Sequence, residues 1–266
     1  MKRLVKIVVV LTIPWFLIAG IRAFQQKADP GTPQQMPEKA NVIAPGNMNS
    51  RQKEHAKLYD ERYQLGGRLD QPPDPKLGAK LNESEPQVFI APGLEGLPDP
   101  SITVQSFASS LACRADLVLV GTVKDKESQL MESKAFLFTE YDVSVDDIYK
   151  NNALAPVTIG GEITVVRPGG RAEINGKILK TSDASFLPLV VGTRVLLFLK
   201  YIVKTGTYDS ADDFLRKGSF QLRDNRLIAL TRDPVPGFQS ADPKLQTAAL
   251  AEALAGISAS CQKMIK

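Results

Sequence analysis

Few side chains in this chain could do chemistry, and they are thinly spaced. Asp209, Asp212 and Asp213 cluster after Gly206. Hard cations want oxygen donors at alternating positions, and this loop lacks the full alternation. The three are a weak metal candidate and read more simply as a solvated acidic loop. Asp146-Asp147 could be paired carboxylates, but near a strand end they read as an exposed edge and turn. The one histidine, His55, has no His or Cys neighbour to share a metal and lies on a polar helical stretch, so it is expected in solvent. There is no Gly-x-Ser-x-Gly elbow, and no Ser-His-Asp set can be built without a histidine in the folded part. Pro168-Gly169-Gly170, followed by Arg171, is too short for a phosphate-binding loop. The expectation is no catalytic residue, no cofactor and no enzyme. Metal-assisted hydrolysis at Asp209, Asp212 and Asp213 is the alternative.

The two cysteines, Cys113 and Cys261, are neither a Cys-x-x-Cys pair nor near a histidine, so a catalytic thiol is not indicated. In an exported chain such a pair invites a disulfide; two separate buried thiols are the other reading. Export is read from the start. Lys2, Arg3 and Lys6 precede an uncharged apolar run over residues 7–21, and Ile21-Arg22-Ala23 offers a cleavage site. This is the pattern of a secretory signal. The alternative is an uncleaved inner-membrane anchor, although the run is short of the ~20 residues a spanning helix prefers. Lys2, Arg3, Lys6 and Arg22 are four of the 33 basic residues, so beyond residue 23 the chain has 29 basic against 29 acidic side chains. A neutral exported body disfavours nucleic acid as a partner.

Residues 24–100 are rich in Pro, Gly, Gln and Asn, as in Gln71-Pro72-Pro73-Asp74-Pro75. Such composition buries too little apolar surface to offset ordering, so a mostly disordered tether is expected. Within it, residues 50–65 read as a marginal helix with Ser50 as cap, Gly66-Gly67 as stop and a thin apolar face of Ala56, Tyr59 and Tyr63.

The folded part is expected over residues 101–240. A short helix near residues 102–113 (Val104, Phe107, Leu111) feeds a strand over residues 115–124. Gly121 inside that strand signals a bulge, bend or close backbone approach. Residues 135–149 form a second strand with a phase slip near Thr139-Glu140, read as a bulge. Residues 162–167 form a third. Asn175-Gly176 predicts a tight hairpin. The apolar run Val195-Leu196-Leu197-Phe198-Leu199 predicts a strand buried on both faces. Asp224-Asn225 marks another turn. About seven short strands without long helices between them argue for an antiparallel barrel or sandwich. The aromatics Phe136, Phe138, Tyr141, Phe198 and Tyr201 read as core rather than as a stacking platform. Asp242-Pro243 starts a tail helix, residues 241–266, whose stripe Leu250, Leu254, Ile257 and Cys261 should pack on the strands.

The segments Ala115-Asp116-Leu117-Val118 with Gly121-Thr122-Val123, residues 141–150, Pro168-Gly169-Gly170 and residues 191–199 carry a resemblance over roughly residues 105–232. They resemble exported bacterial domains of unassigned function that are similar to the OB-type barrel of the netrin and tissue metalloprotease-inhibitor class. The resemblance implies a small antiparallel β-barrel with flanking helices. Inhibitors of that class reach a catalytic zinc with an amino-terminal cysteine. Cys113 is internal here, so that mechanism does not transfer. The function expected is an exported binding module, periplasmic or extracellular, with another envelope or extracellular protein as partner. It would touch a membrane only through residues 7–21 if these are uncleaved. Oligosaccharide or nucleic-acid binding on the barrel face is a further alternative.

Overall fold

A computed structural model describes residues 41–42, 48–65, 87–91, 101–134, 136–174, 176–183, 185–210, 217–224, 226–232, 234–236, 238, 243–256 and 261. The leader expected over residues 1–23 lies outside them. Among the described residues no helix is long and apolar enough to cross a membrane.

The fold is mostly β. The elements in chain order are β1 (Asn41–Val42), α1 (Ser50–Leu65), β2 (Gln87–Ala91), α2 (Val104–Arg114), β3 (Leu117–Leu130), β4 (Leu137–Lys150), β5 (Glu162–Pro168), β6 (Gly170–Ile174), β7 (Lys177–Asp183), β8 (Arg194–Ile202), β9 (Thr207–Asp209), β10 (Ser219–Arg223), β11 (Arg226–Ala229) and α3 (Pro243–Ala255). Seven strands form one sheet in the order β11-β10-β8-β3-β4-β5-β9, and β9 also pairs with β8. The hydrogen bonds therefore run in a closed circuit through β8, β3, β4, β5 and β9. The sheet is mixed rather than antiparallel, because β9 runs parallel to β5. Three residues, Thr-Tyr-Asp, are too few for alternation to show, which is why this strand was not legible in the sequence. A second sheet, β1-β6-β7-β2, is built on the β6–β7 hairpin, with β1 and β2 parallel to their neighbours.

Inside the circuit Leu117, Leu119, Val123, Tyr141, Val143, Val165, Val195, Leu197 and Leu199 pack together. The other face of β3 and β8, through Val118, Val120, Leu196 and Phe198, packs against α2 and α3. The run from Val195 to Leu199 is thus buried on both faces, as its unbroken apolar character predicts. Phe136, Phe138 and Tyr141 are buried too, and Tyr201 is half-buried. Thr103 caps α2 through a reciprocal box with Ser106, and the Lys150 ammonium closes its far end on the carbonyls of Ala112, Cys113 and Ala115. Each end of this helix thus has some of its orphan backbone groups satisfied by side chains.

Gly121 behaves as its place in a strand predicts. A register shift falls at Val120/Gly121, and a Cβ there would stand 2.5 Å from the Ser144 carbonyl oxygen and 2.6 Å from Val143 Cγ1. The slip read near Thr139-Glu140 is a different matter. Residues 137–142 of β4 pair with β3 in unbroken register; the shifts lie where β4 passes Asp146 and Tyr149 and where β3 passes Lys124. All of residues 137–141 are buried, so the apparent change of phase reflects cover on both faces and no extra residue. The β6–β7 turn spans two residues between Ile174 and Lys177, with Gly176 at φ +75°; Asn175 lies outside the described residues. Asp224, at φ +50°, starts the matching turn between β10 and β11.

Cys113, on α2, is bonded to Cys261, beyond α3, with the Cα atoms 5.2 Å apart and 148 positions between them in sequence. Leu250 and Leu254 of the tail stripe are buried against α2; Ile257 lies outside the described residues. A structural disulfide fits an oxidising compartment.

Two substitutions test this architecture. Gly121→Ala should lower unfolding free energy by about 1–3 kcal/mol, the usual cost of forcing atoms into a packed site, and an unchanged denaturation midpoint would contradict the close approach. Cys261→Ser should cost about 2–5 kcal/mol. A thiol titration of the denatured, unreduced wild type should find no free cysteine.

Candidate functional site

Helix α1 is where expectation and structure part most. It is capped by Asn49, not Ser50: Asn49 Oδ1 accepts from the Gln52 amide at 2.9 Å, and Gln52 Oε1 accepts from the Asn49 amide at 3.0 Å. Among its described side chains the buried ones are Gln52, His55, Ala56, Tyr59 and Asp60; those of residues 62–65, Tyr63 included, lie outside the described side chains. The buried positions recur at i, i+3, i+4, i+7 and i+8, a single helical stripe made almost wholly of polar residues. The helix is docked on the sheet and His55 is 0% exposed, so the solvated surface histidine expected from composition is corrected.

Each member of the stripe has a partner. His55 Nδ1 donates to Glu140 Oε1 at 2.6 Å, while its Nε2 faces the hydroxyls of Thr205 at 2.8 Å and Thr207 at 2.9 Å. Arg51 holds the other Glu140 oxygen at 2.7 Å. Gln52 donates to Glu127, which also accepts from Gln129. The Tyr59 hydroxyl meets Asp209 Oδ1 and the Val166 carbonyl, each at 3.0 Å, and Asp60 accepts from the Ser133 amide and hydroxyl. The Tyr59 ring stacks on Phe138, with centroids 5.8 Å apart. Burial works to raise the Glu140 pKa, but hydrogen bonds from His55 and Arg51, and their charges, outweigh it and hold the carboxyl below its ordinary value. Two buried atoms at the margin of this polar seat, Arg51 Nε and Gln129 Oε1, have no hydrogen-bond partner of their own; the seat is held by the pairs that are made. It joins α1 to β3, β4 and the β8–β9 turn.

The acidic candidates separate. Asp209 lies in β9, 1% exposed and bonded by Tyr59; Asp212 and Asp213 lie outside the described residues. Asp146 pairs with Arg194 at 3.2 Å and accepts from Thr122 at 3.0 Å, while Asp147 accepts from the amide of Ile148. The two neighbours do not share a site. Among the described residues no group of three or more His, Cys, Asp or Glu could hold a metal ion.

A second feature was not singled out from the sequence, the β4–β5 connection over residues 151–161. Asn151 bridges it like a short strand pair, donating from Nδ2 to the Val157 carbonyl at 2.9 Å and accepting the Val157 amide at 3.0 Å. Asn152 Oδ1 accepts from the Leu154 amide, and its Nδ2 donates to the Tyr208 hydroxyl, which donates onward to the Ala155 carbonyl. Val157 packs into the core. Gly160 and Gly161 pair with the carbonyl and amide of Val145. On this pinned loop Leu154 is 78% exposed and Ile159 66%. Asn-Asn followed by scattered apolar residues is the signal a sequence reader could use: side-chain amides that close turns below apolar residues with no periodicity. No protein-family model matches the chain, and no curated protein matches it.

The Glu140 pairing carries a pH dependence. A carboxyl whose folded pKa is depressed adds stability that is complete above its unfolded value, near 4.3, and is lost as pH falls through the folded value. The stability difference between wild type and Glu140→Gln should therefore be flat above about pH 5.5 and shrink below about pH 4.3. His55→Leu should cost about 1–3 kcal/mol at neutral pH by orphaning partners in the seat. A midpoint unmoved by His55→Leu would contradict the docked helix.

Proposed function

We propose that this chain is an exported, non-enzymatic interaction module. In this reading it is a small β-barrel of the OB or netrin type, held in the cell envelope or outside the cell, that binds another protein through its β4–β5 loop. The closed circuit of five strands supports the barrel, and the Cys113–Cys261 bond supports an oxidising destination.

One observation carries the binding role: Leu154 and Ile159 stand exposed on a loop fixed by the side chains of Asn151, Asn152 and Tyr208. Single exposed apolar residues are ordinary on protein surfaces. A loop held rigid by five side-chain hydrogen bonds is a different situation. Ordering a flexible loop on binding costs free energy, and a loop already ordered avoids that cost. The apolar side chains then gain from burial in full, at about 25 cal/mol per Å².

The test is site-specific photocrosslinking in the native cells. A crosslinker in place of Leu154 should give one discrete protein adduct, and one in place of Arg226, on β11, should not. Leu154→Asp with Ile159→Asp should abolish an adduct formed from a crosslinker at Ala153, with stability moved by no more than about 0.5 kcal/mol. Equal adducts from Leu154 and Arg226, or an adduct indifferent to the double substitution, would remove the loop from the interface.

A further inference from the structure

The β6–β7 hairpin is fixed to the body of the protein. Ala172, Ile174 and Leu179 are buried together with Leu137 of β4. The Thr181 hydroxyl accepts the Leu137 amide at 3.1 Å, and the Ser128 hydroxyl accepts the Arg171 amide at 3.3 Å. The strands on its two outer edges are added differently. β1 and β2 come from the Pro-rich amino-terminal part of the chain, and each runs parallel to the strand it joins. β2 is the last strand in the order β1-β6-β7-β2, with β7 its one strand partner among the described residues.

β2 covers the edge of β7 incompletely. Gln87 is level with Leu179 and Ala91 with Asp183, whereas β7 begins at Lys177. Two residues of the edge therefore run on past the start of β2, and one of them, Ile178, is 36% exposed. The sequence gives the reason for the short reach. Pro86 precedes β2 and Pro92 follows it, and proline has no N–H to give to a ladder. Parallel pairs are also slightly less stable per residue than antiparallel ones. The chain on either side of β2 is long. Residues 66–86 separate it from α1 and residues 92–103 from α2; the shorter of these connections can span up to about 40 Å. β2 can leave β7 while both helices keep their places.

An open strand edge is a row of backbone donors and acceptors ready to pair with another chain. Addition of an extended peptide to such an edge is a recurring mode of recognition, with main-chain bonds giving affinity and alternate side chains giving choice. A segment without a proline at its start could pair along the whole of Lys177–Asp183 and cover Ile178.

We propose that the outer edge of β7 is a binding site for an extended segment of a partner protein, added in parallel, and that β2 occupies this edge in cis until it is displaced. β2 is then a built-in competitor. Its connections hold it near the edge at a local concentration on the order of millimolar, so a partner segment takes its place only by pairing better. The edge is separate from the β4–β5 loop, and its failure would leave that reading untouched.

The test uses the full chain and a fluorescent peptide of residues 85–91 carrying Pro86→Val, with binding read by anisotropy. Backbone donors alternate sides along a strand, so Val88→Pro with Phe89→Pro in the chain removes the pairing of β2 whichever of the two N–H groups faces β7. That variant should bind the peptide at least about tenfold more tightly than wild type, because the cis competitor is gone. The same peptide with Pro86 restored should bind the variant about fivefold more weakly, the value of one net hydrogen bond. Hydrogen exchange should show new protection over residues 177–183 when the peptide is added. No saturable binding to the folded variant, or equal affinity for variant and wild type, overturns the proposal. If the variant does not fold, a photocrosslinker at position 89 of the peptide is used with wild type: labelling of β7 supports the edge, and labelling only elsewhere, or none, overturns it. A wild-type dimer that is lost in the double-proline variant overturns occupation in cis and gives the edge to a second copy of the chain.

Discussion

Over residues 117–121 of β3 and 195–199 of β8 neither face meets solvent. One side of each looks into the closed circuit and the other must be covered from outside. That constraint organises the rest of the chain. α2 and α3 exist as cover for Val118, Val120, Leu196 and Phe198, and the disulfide ties one cover to the other. At Gly121 β3 and β4 approach so closely that a methyl group would meet a backbone oxygen. Hydrophobic burial supplies the driving force, and the glycine and the bulges let twisted strands follow the curvature.

The two outer covers are made differently. α2 and α3 use aliphatic and aromatic side chains, so their contact tolerates small adjustments. α1 uses a stripe of Gln52, His55, Tyr59 and Asp60, each paired in a fixed geometry. Such a contact gains less from burial than an apolar one, because each pair exchanges bonds to water for bonds to protein. It is more exacting, since a slip of one residue would leave charged and polar groups buried without partners. The polar seat therefore specifies where α1 sits more than how strongly it is held.

This difference explains what could be read from the sequence. The two-sided burial of residues 195–199, the strand glycine, the Asn175-Gly176 hairpin, the tail stripe and the cysteine pair all leave marks in residue type or period. The existence of α1 was legible too. Its docking was not, because a stripe of Gln, His, Tyr and Asp looks like a solvated face until Glu140, Thr205 and Thr207 are brought to it from 85 to 152 positions away. The same holds for Arg167, a fully buried side chain whose Val-Arg-Pro setting reads as a strand end at the surface. The short parallel strand β9 carried too few residues to show a period at all. Buried polar groups are set by tertiary partners, and local pattern does not report them.

The Cys113–Cys261 bond also decides how the protein would carry a load. Tension applied at residue 113 and residue 261 passes from one sulfur to the other. The seven-stranded sheet lies wholly within the bypassed segment. Its strands would stay slack while the flanking chain is stretched, and the span between the two anchor points would stay near 5.2 Å between Cα atoms. In mechanical terms the domain is a short, stiff link hung beside the line of force.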